Sequence, residues 1–220
     1  MEESTLWGSL YTAYDMSVQQ NHYGVQIQAH ASVVAPTVQK LLDVEIFWKI
    51  DYKGGIQAEL SVVKDAEFPD LPRFGVRLFF DQKLEEAAWY GMGPQESYRD
   101  KHRGTFHGLF RQKVRSLHED YLYPQENGSH YWLWFRGTLL VAKCGIAVAS
   151  EEVFRLNVSV YTQEELEAAA HKLWLVESDS TVLCLDYALN GIGSNSCGPV
   201  VRDAYRFKEN QFTFRFKLMP

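Results

Sequence analysis

The residues best suited to chemistry in this 220-residue chain lie in one stretch, Gly191-Ile192-Gly193-Ser194-Asn195-Ser196-Cys197-Gly198-Pro199. Its glycines leave the backbone free to approach a ligand closely. Ser194, Asn195 and Ser196 carry short donors and acceptors of the kind that engage hydroxyl-rich molecules. Ser194, Asn195 and Ser196 are therefore candidate substrate-binding residues. No histidine stands beside Cys197 in sequence to act as a base, so it reads as a small loop thiol and not a nucleophile.

Other chemistry-bearing types are present without a working arrangement. Retaining glycoside hydrolysis needs two carboxyls ~5–5.5 Å apart on a rigid scaffold. Glu96, Glu119, Asp120, Glu126 and Asp186 show no spacing that pairs them. The histidines (His22, His30, His102, His107, His118, His130 and His171) form no HxH or HExxH, so no zinc motif exists. Cys144, Cys184 and Cys197 lack CxxC spacing. Neither a metal site nor a disulfide framework follows, and a reducing compartment such as the cytoplasm is the simpler reading. Trp132 and Trp134 share one strand face, a sugar platform if exposed and core if turned inward; core is the stronger reading. No catalytic residue and no cofactor or metal ligand is assigned to this chain.

The elements that must position the loop are strands. Tyr23, Val25, Ile27, Ala29, Ala31 and Val33 alternate with Gln26, Gln28, His30 and Ser32. Asp43 to Asp51 and Ile56 to Val63 are two runs joined at Tyr52-Lys53-Gly54-Gly55, a hairpin turn. Phe212, Phe214, Phe216 and Leu218 form the last strand. Further strands are expected at Phe74 to Phe80, Tyr131 to Lys143, Val153 to Val160, Lys172 to Val176 and Thr181 to Tyr187. Trp89 to Asp100 reads as a turn built on Gly91 and Gly93, and Arg99 to Arg115 as a surface excursion. One helix is expected, opened by the capping box Thr162 and Glu165 and about two turns long. The fold class is all-β, a large antiparallel β-sandwich with one or two short helices, in a single domain over 1–220.

With 46% hydrophobic and 14% aromatic residues the chain can build a real core and is not a disordered tail. A net charge of −6 without a basic run argues against nucleic acid. No apolar run approaches the ~18 residues needed to cross a membrane.

Three segments in order, Trp89-Tyr90-Gly91-Met92-Gly93-Pro94-Gln95-Glu96-Ser97-Tyr98-Arg99-Asp100, Tyr123-Pro124-Gln125-Glu126-Asn127-Gly128 and Gly191 to Pro199, resemble the C-terminal, small-chain domain of family 2 β-galactosidases. Tyr161-Thr162-Gln163-Glu164-Glu165-Leu166 fits the same family's strand-to-helix junction. The match is firm from Leu71 onward, with only pattern before it. The resemblance implies a supersandwich similar to galactose mutarotase, packed on a catalytic barrel or large subunit. It also implies a loop reaching the β-galactoside, with magnesium and sodium held by other domains of the parent enzyme. Where the best-known members place a stacking tryptophan in that loop, this chain has Cys197, which thereby joins the candidate substrate-binding residues and implies a smaller, less aromatic wall on the aglycone side. The family's opening signature is missing, so the chain reads as a fragment lacking its first strands, with self-association through the open sheet edge expected. A natural small subunit, a mutarotase-like epimerase and a free-standing carbohydrate-binding module are the other readings.

Overall fold

The computed structural model describes residues 9–35, 39–80, 84–131, 137–142, 146–191 and 201–220. The chain divides into two compact units, Met1–Leu71 with Phe207–Pro220, and Pro72–Arg206.

The first unit contains an antiparallel sheet of β1 (Leu10–Asn21), β2 (Gly24–Val34), β3 (Lys40–Asp51), β4 (Ile56–Lys64) and β13 (Gln211–Met219), in that spatial order. Its register explains its sequence. Phe214, Leu60, Ile46, Ala29 and Met16 form one cross-strand row. Thr213, Ser61, Glu45, His30 and Asp15 form a neighbouring row on the opposite face. Side chains alternate between faces with a period of two, so the apolar residues share one side. Phe214 is fully buried, whereas Met16 at the other end of its row is 67% exposed. The predicted hairpin is present. Asp51 accepts from the amides of Lys53 and Gly55, and Gly54 adopts φ +86°, a conformation a side chain resists.

The second unit is a sandwich. One layer runs β10 (Ile146–Ser150), β9 (Gly137–Ala142), β6 (Glu86–Gly93), β7 (Phe106–Lys113). The other runs β5 (Arg73–Phe80), β12 (Thr181–Leu189), β11 (Arg155–Ser159), β8 (Ser129–Tyr131). Trp89 of β6 joins the layers, stacking on His130 of β8 at 4.1 Å between ring centroids. The helix α1 (Gln163–Ala168) carries the predicted capping box. Thr162 Oγ1 accepts from the Glu165 amide at 3.1 Å, and Glu165 Oε2 accepts from the Thr162 amide at 2.7 Å. Thr162→Ala removes half of that exchange. It is expected to lower stability by about 1 kcal/mol in urea unfolding, with Thr162→Ser close to the parent.

Four expectations are corrected. Lys172 to Val176 is not a strand: Lys172–Trp174 is a 3-10 turn, with Leu173, Trp174 and Val176 largely exposed. His171 Nδ1 accepts the Leu173 amide and caps that turn, which its apolar composition conceals. Trp89 to Asp100 is not a turn throughout, since its first part is β6. Gly93 is required there because a Cβ would sit 2.8 Å from the Phe110 ring. The Arg99 to Arg115 excursion contains β7, an edge strand whose exposed Phe106 and Leu109 blur the alternation. Tyr131 to Lys143 supplies two strands in different layers, β8 and β9.

Candidate functional site

The motif residues meet at one end of the second unit. Glu96 is buried at the centre of the first. Its Oε1 accepts from Lys101 Nζ at 2.5 Å and from the Tyr121 hydroxyl at 2.6 Å. Its Oε2 accepts from the Gly128 amide at 2.8 Å and the Tyr98 hydroxyl at 3.2 Å. Burial alone pushes this carboxyl up. The bonds from Lys101, Tyr121 and Gly128 outweigh it and hold Glu96 below the usual carboxylate range. Glu96 thus ties the first motif to the Gly128 end of the second. Gly128 has φ +72°, and a Cβ there would meet the Leu117 carbonyl oxygen at 2.3 Å. Beside it, Asn127 accepts the Glu119 amide and donates to the Glu119 and Gln125 carbonyls.

A second hub joins the second motif to β12. Arg73 donates to both oxygens of Asp186, at 2.7 and 2.9 Å, and to Glu126 at 2.6 Å. Gly75 leaves the room: a Cβ there would lie 2.2 Å from Asp186 Oδ1. Burial raises Asp186 to about 6 against the pull of Arg73, so it is still ionised at neutral pH. A carboxyl tuned this way resembles a general acid. Asp186 is 1% exposed, however, and both its oxygens are occupied. Next to it Arg155 is equally buried and lies over the rings of Tyr98 and Tyr131, at 5.8 and 5.4 Å. Burial lowers the Arg155 guanidinium to about 10.

The candidate carboxylates are therefore accounted for. Glu96, Glu126 and Asp186 are locked into ion pairs, and Glu119 and Asp120 are exposed. The loop residues Ser194, Asn195, Ser196 and Cys197 lie outside the described residues, as do Trp132, Trp134 and Cys144. Gly191, where that loop begins, is described and buried, and it packs directly on the Asp100 carboxylate. Nothing in the spacing of Arg73, Asp100 or Arg155 marks them in sequence; their partners are remote along the chain. Cys184 is a buried free thiol whose pKa burial raises, so it is not poised to react. Among the described residues no cluster of three or more His, Cys, Asp or Glu could hold a metal ion. No helix among them is long and apolar enough to cross a membrane.

Fold and site together define an antiparallel β-sandwich domain in which two ion-paired hubs tie the motif segments together and Asp100 packs on the start of a glycine-rich loop. Residues 3–218 match the family model of the β-galactosidase small chain, and the chain belongs to that family. It is 38% identical over 207 residues to a β-galactosidase of Actinobacillus pleuropneumoniae, covering 94% of this chain and 20% of that protein. A β-galactosidase of Staphylococcus xylosus is 32% identical, with 93% of this chain and 20% of the relative covered. One from Kluyveromyces lactis is 28% identical, with 91% and 21% covered. The chain thus spans about a fifth of the length of these relatives. The likeness begins well before Leu71, since the family model matches from residue 3.

Proposed function

We propose that this chain is the C-terminal, non-catalytic domain of a family 2 β-galactosidase, which hydrolyses terminal β-D-galactosides such as lactose. It packs on the catalytic barrel, whether on the same polypeptide or on a separate large subunit, and completes one wall of the active site. Ser194, Asn195, Ser196 and Cys197 face the aglycone, shaping that side and excluding water without transferring protons. Magnesium and sodium belong to other parts of the enzyme, and its compartment is the reducing cytoplasm. The open edge at β1, exposed along its whole length, supports association through that strand. The observation that carries the reading is the match of nearly the whole chain to a fifth of several β-galactosidases. The engagement of Glu96, Glu126 and Asp186 in ion pairs supports it, since each carboxylate is already held by a cation. No observation favours an epimerase or a free-standing binding module.

Hydrolysis of a nitrophenyl β-galactoside tests this. The chain alone is expected to be silent. Mixed with the remainder of the enzyme it is expected to restore turnover. Steady turnover by the chain alone would defeat the reading.

A further inference from the structure

We propose that Asp100 is a positioning residue for the substrate-proximal loop, acting through its contact with Gly191. The inference rests on the function proposed above.

Gly191 follows β12 and Asn190, whose amide is held by the Pro72 carbonyl at 2.8 Å. A Cβ placed on Gly191 would lie 2.2 Å from Asp100 Cγ and 2.3 and 2.4 Å from its two oxygens. The α-carbon is therefore seated on the carboxylate, and any larger residue must displace one or the other. The requirement is for space, because the Gly191 backbone is not in the left-handed region.

The seat itself is rigid. Tyr98 and Lys101 exchange backbone hydrogen bonds of 2.8 and 3.1 Å across Asp100. Lys101 is further pinned to the buried Glu96. The first two motifs thus build a fixed turn, and that turn presents one carboxylate to the first residue of the third. This gives Asp100 a task that its place outside the loop conceals: it sets where the loop starts. A displacement of about 1 Å in a substrate-positioning group can lower turnover on the order of a hundredfold. A clash at 2.2 Å forces movement of that order.

The test uses the assembled β-galactosidase carrying this chain. Steady-state constants are measured for a nitrophenyl β-galactoside and for a disaccharide galactoside. Gly191→Ala is expected to lower kcat/KM about tenfold or more and to change the ratio between the two substrates, because the loop faces the aglycone. A variant that merely misfolds loses both substrates equally at unchanged KM. Gly191→Ala combined with Asp100→Ala is expected to recover most of the loss, because the new methyl enters the space left by the carboxylate. Asp100→Glu, which presses on Gly191 from the other side, is expected to shift the substrate ratio as Gly191→Ala does. Additive losses in the double variant, or an unchanged substrate ratio in Gly191→Ala and Asp100→Glu, overturn the inference. Asn195→Ala separates the two levels. If it alters the ratio while the Gly191 and Asp100 variants do not, only the positioning role falls. If none of them does, the functional reading falls with it.

Discussion

Arg73→Ala is expected to destabilise the chain by about 3–5 kcal/mol, enough to unfold much of the second unit. The guanidinium satisfies both oxygens of Asp186 and one of Glu126. Removing it leaves the Asp186 carboxylate buried beside Gly75 with no bidentate partner. The penalty is that of stranding a charge in a poorly solvated place, and it exceeds what the pair itself contributes. Arg73→Lys keeps a charge but loses the planar fork, and an intermediate loss is expected. Urea unfolding of the two variants checks the order. A loss below 1 kcal/mol for Arg73→Ala would show that the pair is not buried in solution.

The second large effect is a response to acid. His130 is 2% exposed and lies against Trp89, with Nδ1 3.3 Å from the Met92 carbonyl. Burial lowers its pKa to about 4, although the Met92 carbonyl acts in the other direction. In the unfolded chain it titrates near 6.5. Between these values the unfolded state binds a proton that the native state refuses, so stability rises with pH across the window. Its contribution is complete above 6.5 and is lost as pH falls toward 4. The loss amounts to roughly 3 kcal/mol at 1.36 kcal/mol per unit. His130→Phe keeps a ring against Trp89 and removes the titration. It is expected to flatten the stability profile between pH 4.5 and 6.5. An unchanged slope would assign the acid sensitivity to another group.

Much of this fold is legible before any coordinates. β2, β3, β4 and β13 alternate because one face is apolar and the other polar, and the Thr162 capping box is a purely local device. Legibility fails where burial ceases to alternate. β12 is buried on both faces, with Cys184 beneath Gln163 of α1 and Leu183 fully enclosed. Its strand survives the reading, but which side matters does not. β1 fails for the opposite reason, being exposed throughout, so its alternation has no burial to reinforce it. The candidate site divides in the same way. The glycine-rich loop announces itself through composition. The ion pairs around it are chance spacings until the chain folds, because Arg73, Glu126 and Asp186 share no local pattern.

That remoteness has a temporal side. Arg73 and Asp186 are 113 positions apart. At a synthesis rate of about 5–20 residues per second, Arg73 leaves the ribosome on the order of ten seconds before its carboxylate exists. Within the β1–β4 meander, which ends at Lys64, every pairing joins sequential strands, so it can form while that happens and takes on β13 later. Until β12 arrives the cation waits in water and its strand, β5, has no ladder partner, so the late strand brings the pairing and the carboxylate together.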